Sequence, residues 1–152
     1  MSLRAISAFI LSVACLATVS LVSAENLRHQ LRYEPEVARV SGTLIGRTFA
    51  GPPNFDDIKS GDIPETPWIL LLSKPIDVLA SVDDELNISE SDVREIQLVF
   101  MSDSVVRTLL SKGRHVEVTG RLFSAITGHH HTRVLIEVFE VSKSRGTTRR
   151  SN

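Results

Sequence analysis

The sequence predicts an all-β domain with one helix, preceded by an export signal. Five stretches of the chain alternate apolar and polar residues as strands do, and one stretch between the third and fourth repeats its apolar residues with helical spacing. The 152 residues are 42% hydrophobic and 23% charged, which is the balance of a globular protein that can bury a core. A chain of this length has room for one domain.

The first 24 residues indicate a secretory signal peptide. Arg4 supplies a positive charge, residues 5–19 form an apolar run, and small residues precede Ala24. We therefore expect cleavage after Ala24 and a periplasmic or secreted protein with no transmembrane segment left after cleavage. The alternative is an uncleaved anchor, for which the run is short. Cys15 is the only cysteine, and its place in the leader leaves the mature chain without disulfides or thiolate ligands.

The mature chain divides by composition into three parts: an extended lead-in at 25–36, the domain at 37–142, and a basic flexible tail at 143–152. Within the domain, strands are predicted at 37–49, 68–79, 94–101, 115–126 and 130–141, the second bent at Pro75. Helical spacing of Val105, Val106, Leu109 and Leu110 predicts a helix over 102–113.

A helix between strands three and four of five is the layout of the OB-fold. The sequence therefore predicts a five-stranded OB-like Greek-key barrel, with a small β-sandwich as the alternative. In OB barrels the loops between strands one and two and between strands four and five flank the ligand-binding face. Here these are residues 50–67, which hold four of the six prolines, and residues 127–131. The predicted ligand- or partner-binding residues are Asp62, Glu65, Trp68, His129, His130 and His131.

The histidine triplet has three interpretations. On a strand, His129 and His131 would share one face and could bind zinc or copper with a further ligand. That ligand could come from the facing loop, where we favour Asp62 over Asp56, Asp57 and Glu65, or it could be His115. Alternatively, His130 is a buried, neutral ring that hydrogen-bonds loop backbone while its neighbours face water, or the triplet contacts a ligand or protein partner directly. No nucleophile with an adjacent base is evident, so we predict no enzyme other than a metal-assisted hydrolase.

The overall charge and the aromatic content argue against nucleic acid as a ligand. The net charge is −1 and aromatic residues make up 5% of the chain, whereas nucleic-acid-binding domains are basic and often stack bases on aromatic rings. The prediction is a non-enzymatic binding module for an envelope small molecule, a glycan or a protein partner.

Several segments of the mature chain also resemble an uncharacterised exported bacterial family, domain of unknown function 4431. The segments that carry the resemblance include Tyr33-Glu34-Pro35, Gly51-Pro52-Pro53-Asn54, Val118-Thr119-Gly120, Leu122-Phe123 and Thr127-Gly128-His129-His130-His131-Thr132. The resemblance spans residues 33–138 and is most specific at the histidine turn. It implies a bacterial envelope or periplasmic setting and brings no established activity.

Overall fold

The computed structural model describes residues 29–101 and 111–144. Within them lie eight strands: β1 His29–Arg32, β2 Val37–Gly46, β3 Phe49–Ala50, β4 Pro64–Glu65, β5 Trp68–Leu79, β6 Glu90–Val99, β7 His115–Ser124 and β8 Val134–Lys143. Most of the predicted helix, residues 102–110, falls outside the described residues. In the described part of the chain, no helix is long and apolar enough to cross a membrane.

The five long strands pair with one another in a closed ring. β2 pairs with β5, β5 with β6, β6 with β8, β8 with β7, and β7 returns to β2. The pairing of β6 with β8 is parallel and the other four are antiparallel. These pairings confirm the predicted all-β class and give it the form of a ring-like sheet.

Alternating side chains of the ring point inward and form the core. Along β7, for example, Val116, Val118 and Leu122 are fully buried, and they meet Leu44 from β2 and Ile136 from β8. This alternation follows from the two-residue period of a strand, which is the pattern that predicted these strands. The polar residues between them point to the outer face of the ring.

Two glycines allow the strands of the ring to come close together. A Cβ atom on Gly42 would lie 2.1 Å from the carbonyl oxygen of Leu71, and one on Gly120 would lie 2.0 Å from that of Glu137. The β7–β8 register also shifts between Thr119 and Gly120. A side chain at either position would force neighbouring strands apart, so the close approach of the strands requires glycine at both positions.

Several strands differ from the prediction in their presence or in their boundaries. β1 lies within the predicted lead-in and pairs in parallel with β5, and the adjacent Tyr33 is buried with its hydroxyl donating to the carbonyl of Ile88 at 2.8 Å. β6 begins at Glu90 rather than at residue 94. β8 begins at Val134 rather than at residue 130, which leaves the histidine triplet in the turn before the strand.

Candidate functional site

The proline-rich segment 50–67 is an ordered excursion from the ring. β3 and β4 pair with each other at its two ends, Phe49 opposite Glu65 and Ala50 opposite Pro64. Between them, a short 3-10 turn at Ile58–Ser60 begins after Asp57, whose carboxylate accepts a hydrogen bond from the amide of Lys59 at 3.0 Å. The segment therefore leaves and re-enters the ring at one place, beside the start of β5.

Asp62 holds this excursion together from inside. One carboxylate oxygen accepts hydrogen bonds from the backbone and side-chain amides of Asn54 at 2.9 and 3.1 Å. The other oxygen accepts from the backbone amides of Asp56 and Asp57 at 2.8 and 2.9 Å. The hydrogen bond from Asp56, with those from Asn54 and Asp57, lowers the pKa of Asp62, because donors stabilise the charged form. Asp62 is thus an anchor for the loop backbone, and none of these contacts reaches the histidines with which it was predicted to bind metal.

Glu65 joins the excursion to the histidine turn. Its Oε1 lies 2.7 Å from Nδ1 of His129, and its Oε2 lies 3.0 Å from Nε2 of His131. Burial on its own would raise the pKa of Glu65, but the hydrogen bonds from His131 and His129 and the charge of those rings outweigh it, so the pKa is lowered. One carboxylate therefore binds both imidazoles, and the two loops form one continuous surface. We call this contact of Glu65, His129 and His131 the junction.

Each histidine of the triplet also packs against a phenylalanine. His131 stacks on Phe49 with ring centres 4.3 Å apart and ring planes 2° from parallel. His129 meets Phe55 at 4.9 Å and 86°, and His130 meets Phe123 at 5.5 Å and 70°. The sequence interpretation did not single out Phe49 or Phe55, because no local pattern links a residue near position 50 to a turn near position 130.

Gly128 is required where the turn meets the excursion. A Cβ atom there would lie 2.9 Å from three carbons of the Phe55 ring, a distance that real Cβ contacts do not reach. The absence of a side chain lets the turn lie directly on the ring. Gly128 therefore contributes close packing to the same surface that Glu65 closes by hydrogen bonding.

The third element of the site is Gln97 on β6, which the sequence interpretation missed. Its side-chain amide donates to the carbonyl of His129 at 2.9 Å, and its side-chain oxygen accepts from the amide of His131 at 2.7 Å. Gln97 is buried, although the alternation of β6 placed it on the face opposite Ile96 and Leu98. A polar side chain beneath a turn satisfies backbone groups that would otherwise be buried without partners.

His130 contacts the backbone of its own turn, which is the contact that one of the three interpretations predicted. Its Nδ1 accepts a hydrogen bond from the amide of Ile126 at 3.0 Å, so the neutral ring carries its proton on Nε2. Burial, followed by the charges of His129 and His131, lowers the pKa of His130. Its neighbours agree with that interpretation only in part: the side chain of His129 is 59% exposed to water, whereas that of His131 is only 8% exposed. Of the two junction imidazoles, His129 is therefore the one that solvent or a ligand can reach.

The six predicted binding residues thus take four different places. Glu65, His129 and His131 meet at the junction, and His130 supports the turn behind it. Asp62 is inside the excursion. Trp68 opens β5 and packs against the core.

The donor atoms of the junction are hydrogen-bonded to one another. Among residues 29–101 and 111–144, no group of three His, Cys, Asp or Glu side chains is arranged to hold a metal ion. The carboxylate in contact with the two imidazoles is that of Glu65. A zinc or copper ion at this place would therefore use Glu65 in the position predicted for Asp62, and it would have to replace both hydrogen bonds.

Beyond His131, the site continues into a polar pocket. Arg47 binds Glu95 through two hydrogen bonds of 2.9 and 2.7 Å, and its guanidinium lies 5.8 Å from the centre of the Phe49 ring. Beside this group is a pocket of about 350 Å³, which we call the junction pocket; its lining includes Asp92, Arg94, Glu95, His131, Thr132 and Arg133. Ligand pockets in proteins begin at about this size.

These features define the protein as an all-β domain whose two long loops are joined by a carboxylate and two imidazoles. Comparison with protein families gives a match to the Domain of unknown function (DUF4431) over residues 95–142. The match runs from β6 through β8 and contains Gln97 and the histidine turn, which confirms the predicted resemblance over that part. The comparison with curated proteins gave no match.

Proposed function

We propose that this protein is an exported, non-enzymatic binding module of the OB type. It engages a small envelope ligand or a protein partner through the surface formed by the 50–67 excursion and the 127–131 turn. The observation that carries the proposal is the double contact of Glu65 with His129 and His131. Two loops that are far apart in the sequence are joined by it into one surface, and binding residues concentrate on loops held by a rigid scaffold.

The OB interpretation is supported by the order of elements around the ring. Five long strands form one closed set of pairings, and the two loops that meet at the junction follow the first and the fourth of them. These are the loops that flank the ligand face of an OB-like Greek-key barrel. The helix predicted over 102–113, between the third and fourth long strands, completes the proposed topology.

The chemistry of the junction pocket favours a polar ligand. Arg94 and Arg133 bring positive charge, Asp92 and Glu95 bring negative charge, and His131 forms one wall. Side chains of both signs can bind a ligand that carries several hydrogen-bonding groups, such as a glycan fragment or a polar loop of a partner. Its near-neutral lining offers little to a nucleic acid backbone.

A binding role agrees with the partners of the histidines. The polar partners of the imidazoles are a carboxylate and a backbone amide, which position the rings without activating a nucleophile. The predicted signal peptide supports export of the protein, and this part of the proposal can be tested directly. The protein isolated from the envelope should begin at Glu25, as intact mass and N-terminal sequencing would show.

Binding can be tested by photo-crosslinking in the cells that make the protein. Benzoylphenylalanine replaces Ile63 in the excursion or Ile126 beside the turn, both of which are exposed. The matched control replaces Val82, an aliphatic residue in the loop between β5 and β6 that is even more exposed than the two test positions. We expect adducts of discrete mass from the first two positions only, and mass spectrometry would detect a small ligand as well as a protein.

The junction itself provides the second arm of that experiment. Glu65→Gln should weaken crosslinking at both loop positions, because the loops no longer share one carboxylate. Adducts of equal yield at Val82, or yields unchanged by Glu65→Gln, would remove the proposed surface.

A metal site is the second candidate, because Glu65 brings two imidazole nitrogens and two carboxylate oxygens to one place. If zinc or copper binds there, the metal should raise the melting temperature of chelator-treated protein. His129→Ala combined with His131→Ala should abolish that rise, whereas His115→Ala should leave it intact. A rise that survives the double substitution would place the metal elsewhere.

A further inference from the structure

A second pocket lies on the opposite edge of β5 from the junction pocket. β6 pairs with one edge of β5, and β2 and β1 share the other. Between β1, β2 and the middle of β5 is a pocket of about 350 Å³, which we call the wall pocket. Its lining includes His29, Arg39, Val40, Leu72, Lys74 and Ile76, none of which belongs to the junction or the junction pocket.

The wall pocket exists because β5 changes its partner at its midpoint. Residues 68–72 of β5 pair with β2, whereas residues 76–79 pair with β1. Between them is Pro75, which has no N–H for the ladder, and the register with β6 shifts there as well. The first half of β2, from Val37 to Ser41, therefore pairs with β7 and has the pocket on its other side.

The lining of this pocket combines an apolar floor with a positively charged rim. Val40 and Ile76 are members of the core, and Leu72 packs against it, so the floor of the pocket is apolar. At the rim are Arg39, Lys74 and His29, and the lining contains no acidic residue. Arg39 pairs with Glu117, whose carboxylate lies 3.6 Å from the guanidinium, and the Arg39 side chain is 68% exposed.

We propose that the wall pocket binds a monomeric amphiphilic carboxylate, an acyl chain with an anionic head group. The chain would cover Val40, Leu72 and Ile76, and the carboxylate would bind Lys74 and Arg39 at the rim. Burial of apolar surface supplies the affinity, and charge-assisted hydrogen bonds fix the orientation. At about 350 Å³ the pocket suits one short chain, so we assign it to a free acid rather than to a diacyl lipid in a bilayer.

The test uses decanoate as the probe, below the concentration at which it forms micelles. Isothermal titration calorimetry on the purified protein should show one saturable site with a negative heat-capacity change. Decanamide, which has the same chain without the charge, should bind about tenfold more weakly, the loss expected for one charge-assisted hydrogen bond. Decyltrimethylammonium, which carries the opposite charge, should not bind.

Substitutions locate the site. Lys74→Glu should weaken decanoate binding by about tenfold or more, and Lys74→Gln provides a milder variant if the charge reversal impairs folding. Lys112→Glu is the matched control, because Lys112 lies near Gly46 at the far end of β2. Leu72→Trp should fill the floor and abolish binding. A thermal melt of each variant establishes that it is folded.

The outcomes separate the wall pocket from the junction. Decanoate affinity that is unchanged by Glu65→Gln and lost in Lys74→Glu supports the proposal, whatever the crosslinking at the junction shows. Equal affinities for decanoate and decanamide, equal effects of Lys74→Glu and Lys112→Glu, or binding only to phosphatidylglycerol vesicles would each overturn it.

Discussion

Asp62 and Glu65 are two carboxylates of the same excursion that make different kinds of contact. Asp62 directs both oxygens at amides of its own loop, from Asn54, Asp56 and Asp57. Glu65 directs both oxygens across to the histidine turn. The first contact makes the excursion a rigid unit, and the second attaches that unit to the rest of the surface. Neighbouring residues of similar chemistry therefore do two different things here: one orders the loop and the other assembles the site. Substituting Asp62 or Glu65 alone should separate the two roles.

Removal of the Asp62 carboxylate should have the largest effect. Asp62→Ala leaves the amides of Asn54, Asp56 and Asp57 without their charged acceptor, and hydrogen bonds to a charged group are stronger than those between neutral groups. We expect the melting temperature to fall by roughly 5–10 °C. Hydrogen exchange should show these amides losing protection together, and the junction should loosen because Glu65 is carried by the same excursion.

The matched control for Asp62 is Asp83→Ala, an exposed aspartate in the loop between β5 and β6, which should leave the melting temperature nearly unchanged. Acid provides an independent check. Because the folded pKa of Asp62 is lowered from 3.8, its stabilisation is present above that value and is lost as the pH falls through the folded pKa. Equal melting curves for Asp62→Ala and Asp83→Ala would contradict the anchoring role.

Loss of the Gln97 side chain should have the next largest effect. Gln97→Ala leaves the carbonyl of His129 and the amide of His131 without their partner beneath the turn. The free energy of unfolding should fall by roughly 1–3 kcal/mol, because two part-buried backbone groups lose their hydrogen bonds. Urea titration measures it. Gln30→Ala, at the exposed glutamine of β1, should change stability by less than about 0.5 kcal/mol.

The fold was more predictable than the contacts of the site. Alternation along Val116, Val118 and Leu122 is a local signal, so the sequence predicts the strands and the all-β class. The adjacency of segments 50–67 and 127–131 could also be inferred, because it follows from the strand order. In contrast, Gln97 lies on β6, and its role depends on which residues the turn places above it. Local periodicity contains no information about such a distant contact.

The same limit explains why the sequence does not show which of the two acidic residues, Asp62 or Glu65, contacts the histidine turn. Both are acidic residues of one loop, and the sequence offered Asp62 as the partner of His129 and His131. The difference arises because β4 pairs Glu65 with Phe49 and so directs it toward the turn, while the turn at Ile58–Ser60 folds Asp62 inward. Side-chain direction in an irregular loop depends on backbone geometry that residue type alone does not specify.

Glu65→Gln should have a smaller effect on stability and a specific effect on coupling. Glutamine retains one acceptor but presents an amide N–H₂ to the second imidazole. That ring must change its tautomer to keep a hydrogen bond, and the charge of the carboxylate is lost from both contacts. We expect the free energy of unfolding to fall by about 1 kcal/mol. A double-mutant cycle with His131→Gln should give a coupling energy of about 0.5–1 kcal/mol.

The control for this change is Glu117→Gln, which removes the carboxylate of the exposed pair with Arg39. Exposed pairs contribute little, so both the loss of stability and its coupling to His131→Gln should be close to zero. A coupling energy near zero for Glu65 as well would mean that the two loops are held together by the contact of Phe55 with Gly128 rather than by the carboxylate.

The smallest expected effect is the pH dependence at His130. Its folded pKa is lowered from 6.5, so the unfolded chain binds the proton more readily. The stabilisation supplied by neutral His130 is therefore complete above pH 6.5 and is lost as the pH falls through that value toward the folded pKa.

His130→Asn retains an oxygen that can accept from the Ile126 amide but does not titrate. The variant should lose less stability than the wild type between pH 7 and pH 5, measured as the difference between the two melting temperatures. His129 and His131, whose charges act on His130, are present in both proteins, so the comparison isolates His130. His115→Asn, at an exposed histidine of β7, should keep the wild-type slope. An unchanged slope in His130→Asn would mean that the ring is not buried in its neutral form, and the structural role of His130 would have to be abandoned.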